Sequence, residues 1–262
     1  MKVRLDKLLV ERGVVASRER AQAMVLAGRV LVDGQKVEKA GAGVHADADI
    51  RLLGEDLKYV GRGGLKLEGA LDHWKIDPSG RTCLDVGAST GGFTDCLLQR
   101  GAAQVIAVDT GYGQIASKLR DDARVKLLEK TNARFLTAEH LRGALTTDLG
   151  AGTAITLIAI DVSFISVTLI LPAVVGAASG AALAKQEAPQ RRDLLVLVKP
   201  QFEAGRAAVG KGGIVRDPQA QQSAVAKVAA AVSGLGGRNV EVIESPILGM
   251  EGNREFFLHA EF

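Results

Sequence analysis

The chain reads as an α/β protein in which a small basic α+β unit precedes a seven-stranded, mostly parallel sheet with helices on both faces. Three observations predict this. From Thr82 onward, short aliphatic runs at 82–86, 104–109, 125–129, 155–161, 193–199, 239–244 and 255–260 alternate with segments able to hold helices, the pattern of a sheet buried on both sides. The last two runs are separated by only about ten residues, among them Pro246, Gly249 and Gly252, which suits a returning antiparallel strand better than another crossover. Residues 1–40 hold nine Lys/Arg against five Asp/Glu, a local charge of +4 in a chain whose net charge is +3.

With 262 residues, 47% hydrophobic and 24% charged, the chain falls in the range of soluble globular proteins of one large or two unequal domains. Two cysteines, Cys83 and Cys96, exclude a disulfide framework, and with four scattered histidines they give no metal-ligand spacing. The start, MKVRLDKLLVERG, lacks the apolar core of a signal peptide, so a cytoplasmic protein is expected. The stretch 162–184 carries no charge over 23 residues, a length that would span a bilayer. Serines, glycines and Pro172 interrupt it, however, and a strand end followed by an Ala-rich covering helix explains it better, so no stable membrane association is expected.

In order along the chain, Leu5, Leu8, Leu9 and then Ala21, Val25, Leu26 recur at helical spacing, with Ser17 as N-cap of the second helix and Gly28 at its end. Residues 29–32 form a strand leading into an Asp33-Gly34 hairpin turn, and 47–53 supplies another. These elements make a first domain over 1–58. Gly61, Gly63 and Gly64 mark a hinge at 59–64, and 65–262 forms the second domain. Residues 177–190 read as a flexible surface stretch.

Cys83-Leu84-Asp85-Val86-Gly87-Ala88-Ser89-Thr90-Gly91-Gly92-Phe93-Thr94 is a strand running into a glycine-rich turn and a helix. Glycines there let a ligand approach the backbone at the carboxyl edge of the sheet, where open α/β sheets bind. The dinucleotide fingerprint G-x-G-x-x-G is absent, and the acid before the glycines suits a cationic methionine moiety better than a pyrophosphate. Asp109, ending the second strand, is placed to accept both hydroxyls of an adenosine ribose. Together these residues favour S-adenosylmethionine, held by Asp85, Gly87, Ala88, Ser89, Thr90, Gly91, Gly92, Phe93, Asp109 and Asp161, with Asn132 near the adenine.

Asp161 and Lys199 end the fourth and fifth strands, each after a long apolar run, so each needs a partner at the carboxyl edge. If the last strand is antiparallel, Glu255 falls at that same edge, and Lys66 opens the helix before the first strand. Four charges of alternating sign then converge, an arrangement suited to methylating a ribose 2′-hydroxyl: a base removes the proton while the oxygen attacks a sulfonium methyl. Lysine, with an ordinary pKa of about 10.4, becomes a competent base when desolvation and neighbouring cations depress it. Lys199 is the expected base, oriented by Asp161; Lys66, positioned by Glu255, lowers the pKa of Lys199 or holds the ribose. The blander reading is two separate ion pairs that stabilise strand ends.

The pattern RLDKLLVERGVVASRERAQAMVLAGRVLVDG resembles the S4 RNA-binding module, and the remainder resembles the FtsJ-like 2′-O-methyltransferases. The ordered motifs RGGLKL, DVGASTGGFTD, IDVSFIS, LVKPQFE, VGKGGIVRD and GNREFF resemble those of the TlyA family, across nearly the whole chain. This resemblance implies a Rossmann-like methyltransferase domain, methylation of cytidine 2′-hydroxyls in the rRNA of ribosomal subunits, and a Lys-Asp-Lys-Glu tetrad matched by Lys66, Asp161, Lys199 and Glu255. Arg4, Arg18, Arg20, Arg29, Arg62, Arg206 and Lys211 are the expected RNA contacts. The family also carries a haemolysin label, so a membrane-active protein and a non-catalytic rRNA-binding protein are the competing readings. The run 205–212 is one residue short of a phosphate-binding loop and has Gly212 where Ser/Thr would ligate magnesium, which argues against an NTPase.

Overall fold

The computed structural model describes residues 2–15, 17–26, 28–53, 58–145, 154–181, 191–249 and 251–262, and divides the chain into two compact units, Met1–Leu57 and Lys58–Phe262.

The first unit contains β1 (Lys2–Arg4), α1 (Leu5–Glu11), α2 (Arg18–Leu26), β2 (Val30–Val32), β3 (Gln35–Lys36), β4 (Gly43–His45) and β5 (Ile50–Leu52). Leu5, Leu8 and Leu9 of α1 meet Ala21, Met24 and Val25 of α2 in a small aliphatic core with Val30 and Val32. The Ser17 hydroxyl accepts the Arg20 backbone N–H, as an N-cap does. Asp33 and Gly34 both have positive φ, 51° and 78°, the requirement of the tight hairpin that joins β2 to β3. Two strands were not expected, β1 and β4, which pair antiparallel with each other. The strand expected at 47–53 is shorter, at Ile50–Leu52.

Asp6 is fully buried in this unit and accepts hydrogen bonds from Arg4, Arg18 and Gln22. The Arg4 guanidinium, and then Gln22 and Arg18, hold its carboxyl well below the usual carboxylate range against the opposing effect of burial. A depressed pKa gives stability that is present above the ordinary carboxylate pKa and is lost as pH falls through and below it. Asp6→Asn is expected to lower the unfolding midpoint of this unit by roughly 5 °C at pH 7, with the difference from wild type shrinking toward pH 3. Thermal melts of the two proteins across that range test this, and a constant difference would contradict it.

The second unit contains α3 (Gly63–Trp74), β6 (Thr82–Val86), α4 (Gly92–Gln99), β7 (Gln104–Val108), α5 (Ser117–Arg120), β8 (Val125–Leu128), α6 (Ala138–Ala144), β9 (Ile155–Ile160), α7 (Leu171–Gly180), β10 (Asp193–Val198), α8 (Pro200–Glu203), α9 (Pro218–Gly234), β11 (Arg238–Glu244) and β12 (Phe256–Glu261). Its seven strands run in the order β11-β12-β10-β9-β6-β7-β8. The five from β10 to β8 are parallel to their neighbours, and β12 is antiparallel to both β10 and β11. The sequence runs explain this directly. TCLDV, ITLIAI and DLLVLV are mostly apolar because both faces are covered, one by α6, α7 and α9 and the other by α3 and α4.

Within the expected hinge 59–64, Tyr59 is buried, and Gly63 and Gly64 form the first turn of α3, which begins two residues before the boundary expected at 65. Of the surface stretch expected at 177–190, residues 177–180 belong to α7 with Ala177 and Ala178 buried, and 182–190 lie outside the described residues. Among the described residues no helix is long and apolar enough to cross a membrane. Cys83 and Cys96 are free and buried, and burial pushes both thiols up to about 12.

Candidate active site

The carboxyl edge of the sheet is built around β6. After Val86 the chain turns at Gly87, whose φ of 90° places its N–H on the Val108 carbonyl at 2.8 Å. A Cβ at Gly87 would lie 2.3 Å from the Asp161 carbonyl oxygen, so only glycine lets the β6 and β9 loops meet this closely. Ser89, at φ 49°, donates its N–H to Asp109 Oδ2 at 2.8 Å, and Gly111 N–H reaches Asp109 Oδ1 at 2.6 Å. Asp109 is thereby locked at the end of β7, facing the 87–92 turn. Asn132 instead caps the short 3₁₀ turn Ala133–Phe135 by accepting the Arg134 N–H at 3.0 Å.

Asp85 is fully buried beneath this turn. The Thr94 hydroxyl donates to its Oδ2 at 2.6 Å, while Oδ1 has no hydrogen-bond partner among the described residues. Burial, together with the nearby Asp161 and Asp109 carboxylates, pushes its pKa up to about 7 although the Thr94 bond pulls the other way. A buried acid with an orphaned oxygen and two acidic neighbours calls for a cation. That fits the positively charged methionyl part of S-adenosylmethionine and would not fit a phosphate.

Four charged side chains stand at this edge in two close pairs. Lys66 Nζ donates to Glu255 Oε2 at 2.5 Å, and both side chains are nearly buried. Lys199 Nζ lies 2.5 Å from Asp161 Oδ1, a charge contact whose angle makes no hydrogen bond to that oxygen, and it donates to Ser163 Oγ at 2.9 Å. Strand register explains the convergence. Val198 pairs with Phe256, so the next residue outward on β10, Lys199, faces Glu255. Asp161 follows Ile160, which pairs with Val196 on one side and Val86 on the other. The first turn of α3 closes the group: a Cβ at Gly63 would be 3.7 Å from Asp161 Oδ2, and Lys66 lies one turn further on.

Beside these pairs, Phe164 is 92% exposed with a φ of 66°, unusual for a bulky residue, and its ring lies 5.4 Å from that of Phe202. Phe164, Ser166, Gln201, Phe202 and Arg206 line a groove of about 490 Å³. A cavity of similar volume, about 500 Å³, opens at the opposite edge of the sheet among Trp74, Arg81, Arg191 and Asp193. Three of its charged side chains are held in the Arg81–Asp193 and Arg191–Glu261 ion pairs, away from the glycine turn. Neither Ser163 nor Phe164 was singled out from the sequence. The DVSFIS segment carries no local signal that its hydroxyl turns to Lys199 while its ring turns outward.

The expected RNA contacts are differently engaged. Arg4 and Arg18 are half-exposed and paired with Asp6, Arg29 donates to the Leu53 carbonyl, and Arg62 donates to the Leu248 carbonyl at 3.1 Å. Arg20 is intermediate in exposure. Arg206 opens a 3₁₀ turn at the groove, and Lys211 is exposed in the glycine-rich turn that follows.

This strand order, with its antiparallel β12 and the glycine turn after β6, defines a Rossmann-like methyltransferase fold. The FtsJ-like methyltransferase profile matches residues 59–262, and the S4 domain profile matches residues 3–50. The 16S/23S rRNA (cytidine-2′-O)-methyltransferase TlyA of Mycobacterium tuberculosis is 44% identical over 258 residues, covering 98% of this chain and 89% of that protein. Hemolysin A of Brachyspira hyodysenteriae is 37% identical over 257 residues, covering 98% of this chain and 99% of its own length. A solved structure from Streptococcus thermophilus, provisionally named a hemolysin, matches with a TM-score of 0.70 at 39% identity, over 99% of this chain and 88% of that one. The chain belongs to the FtsJ-like methyltransferases and, among them, to the TlyA family, in which relatives bear both methyltransferase and hemolysin names.

Proposed function

We propose that the protein transfers a methyl group from S-adenosylmethionine to the ribose 2′-hydroxyl of cytidine in ribosomal RNA. The observation that carries this reading is the pair of lysine–carboxylate contacts, Lys66–Glu255 and Lys199–Asp161, at the same sheet edge as the buried Asp85 and the glycine turn. S-adenosylmethionine supplies an electrophilic methyl group when bound. Asp85 meets its cationic methionyl part, Asp109 accepts from its ribose hydroxyls, and residues 87–93 line its backbone approach. Lys199 takes the proton from the 2′-hydroxyl. Asp161 keeps the Lys199 amine at the sheet edge, and Lys66, held by Glu255, steadies the target ribose and its developing negative charge.

The S4 domain and the basic residues Arg206 and Lys211 supply the phosphate contacts that bring folded rRNA to this edge, chiefly by shape and charge. The target nucleotide has to leave its helix, and unstacking costs a few kcal/mol. Phe164, exposed beside the lysines, offers an aromatic face on which the everted base can stack. Phe164→Ala is expected to raise KM for RNA roughly tenfold, because stacking on an aromatic is worth about 1–3 kcal/mol, while S-adenosylmethionine affinity stays unchanged. An unchanged KM for RNA would remove Phe164 from the substrate site.

The reading is tested by incubating the protein and labelled S-adenosylmethionine with separated small and large ribosomal subunits from a strain lacking the modification. Label in the rRNA of either subunit supports it. No label in either, with cofactor binding confirmed by calorimetry, overturns it.

A further inference from the structure

We infer that Ser163 is a positioning residue for the Lys199 amine, an inference that rests on the methyl-transfer reading above. An amine has one bond to its own chain and three other directions. At Lys199 one of these is taken by Ser163 Oγ at 2.9 Å, while Asp161 Oδ1 stands 2.5 Å away as a charge partner. The Ser163 bond turns the remaining directions toward the open edge, where a substrate hydroxyl can be met. Ser163 is exposed, so this arrangement stands on the open side of the edge where a ribose can enter. Asp161 by itself makes only a charge contact, which fixes distance without fixing direction. The serine hydroxyl supplies the missing direction.

The backbone around Ser163 is built to hold it there. Phe164 follows in the left-handed region at φ 66°, a conformation that costs a bulky residue energy and persists only where the surroundings impose it. Two contacts flank it. The Phe164 ring rests against Phe202. Further on, the buried Glu203 accepts the Ser166 hydroxyl at 2.5 Å and the Val167 N–H at 2.6 Å, with Lys227 Nζ at 3.1 Å on the same carboxylate. Phe202 and Glu203 belong to α8, which starts immediately after Lys199. The segment that presents Ser163 is thus tied to the helix that follows the lysine.

The test compares Ser163→Ala and Ser163→Thr with wild type, in steady-state methyl transfer to ribosomal subunits and in calorimetric binding of S-adenosylmethionine. Ser163→Ala is expected to lower kcat roughly tenfold, the cost of one oriented hydrogen bond at the reacting group, with KM for RNA and cofactor affinity within about twofold of wild type. Ser163→Thr keeps the hydroxyl and is expected to restore kcat to within about threefold. Retained cofactor affinity shows that the alanine variant is folded. Wild-type kcat in Ser163→Ala, or equal losses in the alanine and threonine variants, would overturn the positioning role while leaving the methyl-transfer reading intact. Absence of transfer by the wild type itself would overturn both.

Discussion

Lys199→Ala is expected to lower kcat for methyl transfer by at least about a thousandfold, in the range that a positioned general base contributes. Affinity for S-adenosylmethionine should stay within about threefold of wild type, because Asp85, Asp109 and the glycine turn, rather than Lys199, make the expected cofactor contacts. The side chain is nearly buried against Asp161, so its loss leaves that carboxylate without its cation. Asp161 is itself partly exposed, which lets water compensate and keeps the variant folded. The contrasting variant is Lys66→Ala. It leaves the buried Glu255 uncompensated and is expected to destabilise the domain as well as slow the reaction. Single-turnover kinetics beside thermal melts separates the two. If Lys199→Ala kept more than about a tenth of wild-type activity while Lys66→Ala lost all of it without unfolding, the base would be Lys66.

Cofactor binding should depend on pH through Asp85. Burial raises its pKa to about 7, so the proton is held more tightly in the folded protein than in the unfolded chain. The stability this contributes is fully present below the ordinary carboxylate pKa of about 4 and is lost as pH climbs through 7, where the acid must ionise with only the Thr94 hydroxyl against it. A cation bound close to this carboxylate offsets that cost. The free protein is therefore expected to lose stability between about pH 4 and pH 7 relative to Asp85→Asn, and to level off above that. S-adenosylmethionine affinity is expected to rise roughly tenfold from pH 6 to pH 7.5, as the ionised fraction of a group with this pKa does. In Asp85→Asn the pH dependence should flatten and affinity should fall about a hundredfold, the cost of an unmet buried cation. Calorimetric titrations at several pH values check this; a wild-type affinity that is flat across the range would place the cofactor's positive charge elsewhere.

The sheet was legible in the sequence because its parallel strands are buried on both faces. Runs such as ITLIAI and DLLVLV are then apolar at nearly every position and end abruptly at Asp161 and Lys199, where the chain reaches the polar edge. The antiparallel return was legible from the short, proline- and glycine-bearing gap before β12, and that return brings Glu255 to the same edge as Lys199. What escaped was short or non-local. β1 and β4 have three residues each, and their pairing joins positions some forty residues apart, which no local period reveals. The clasp of Glu203 on Ser166 and Val167 and the turn of Ser163 toward Lys199 arise only once α8 packs beside the loop after β9. Asn132 shows a role the sequence did not announce, since its side-chain oxygen also caps the short helical turn after β8.

The most direct test of the central claim is where on the nucleotide the methyl group lands. rRNA methylated by the protein can be cleaved with alkali and, separately, digested to nucleosides for mass spectrometry. A 2′-O-methyl group blocks attack of that oxygen on the neighbouring phosphate, so the modified linkage should survive alkali as a dinucleotide, and the nucleoside digest should yield 2′-O-methylcytidine. A methyl group on the cytosine base, with alkali cleaving every linkage, would contradict the assignment of Lys199 and its partners to ribose chemistry.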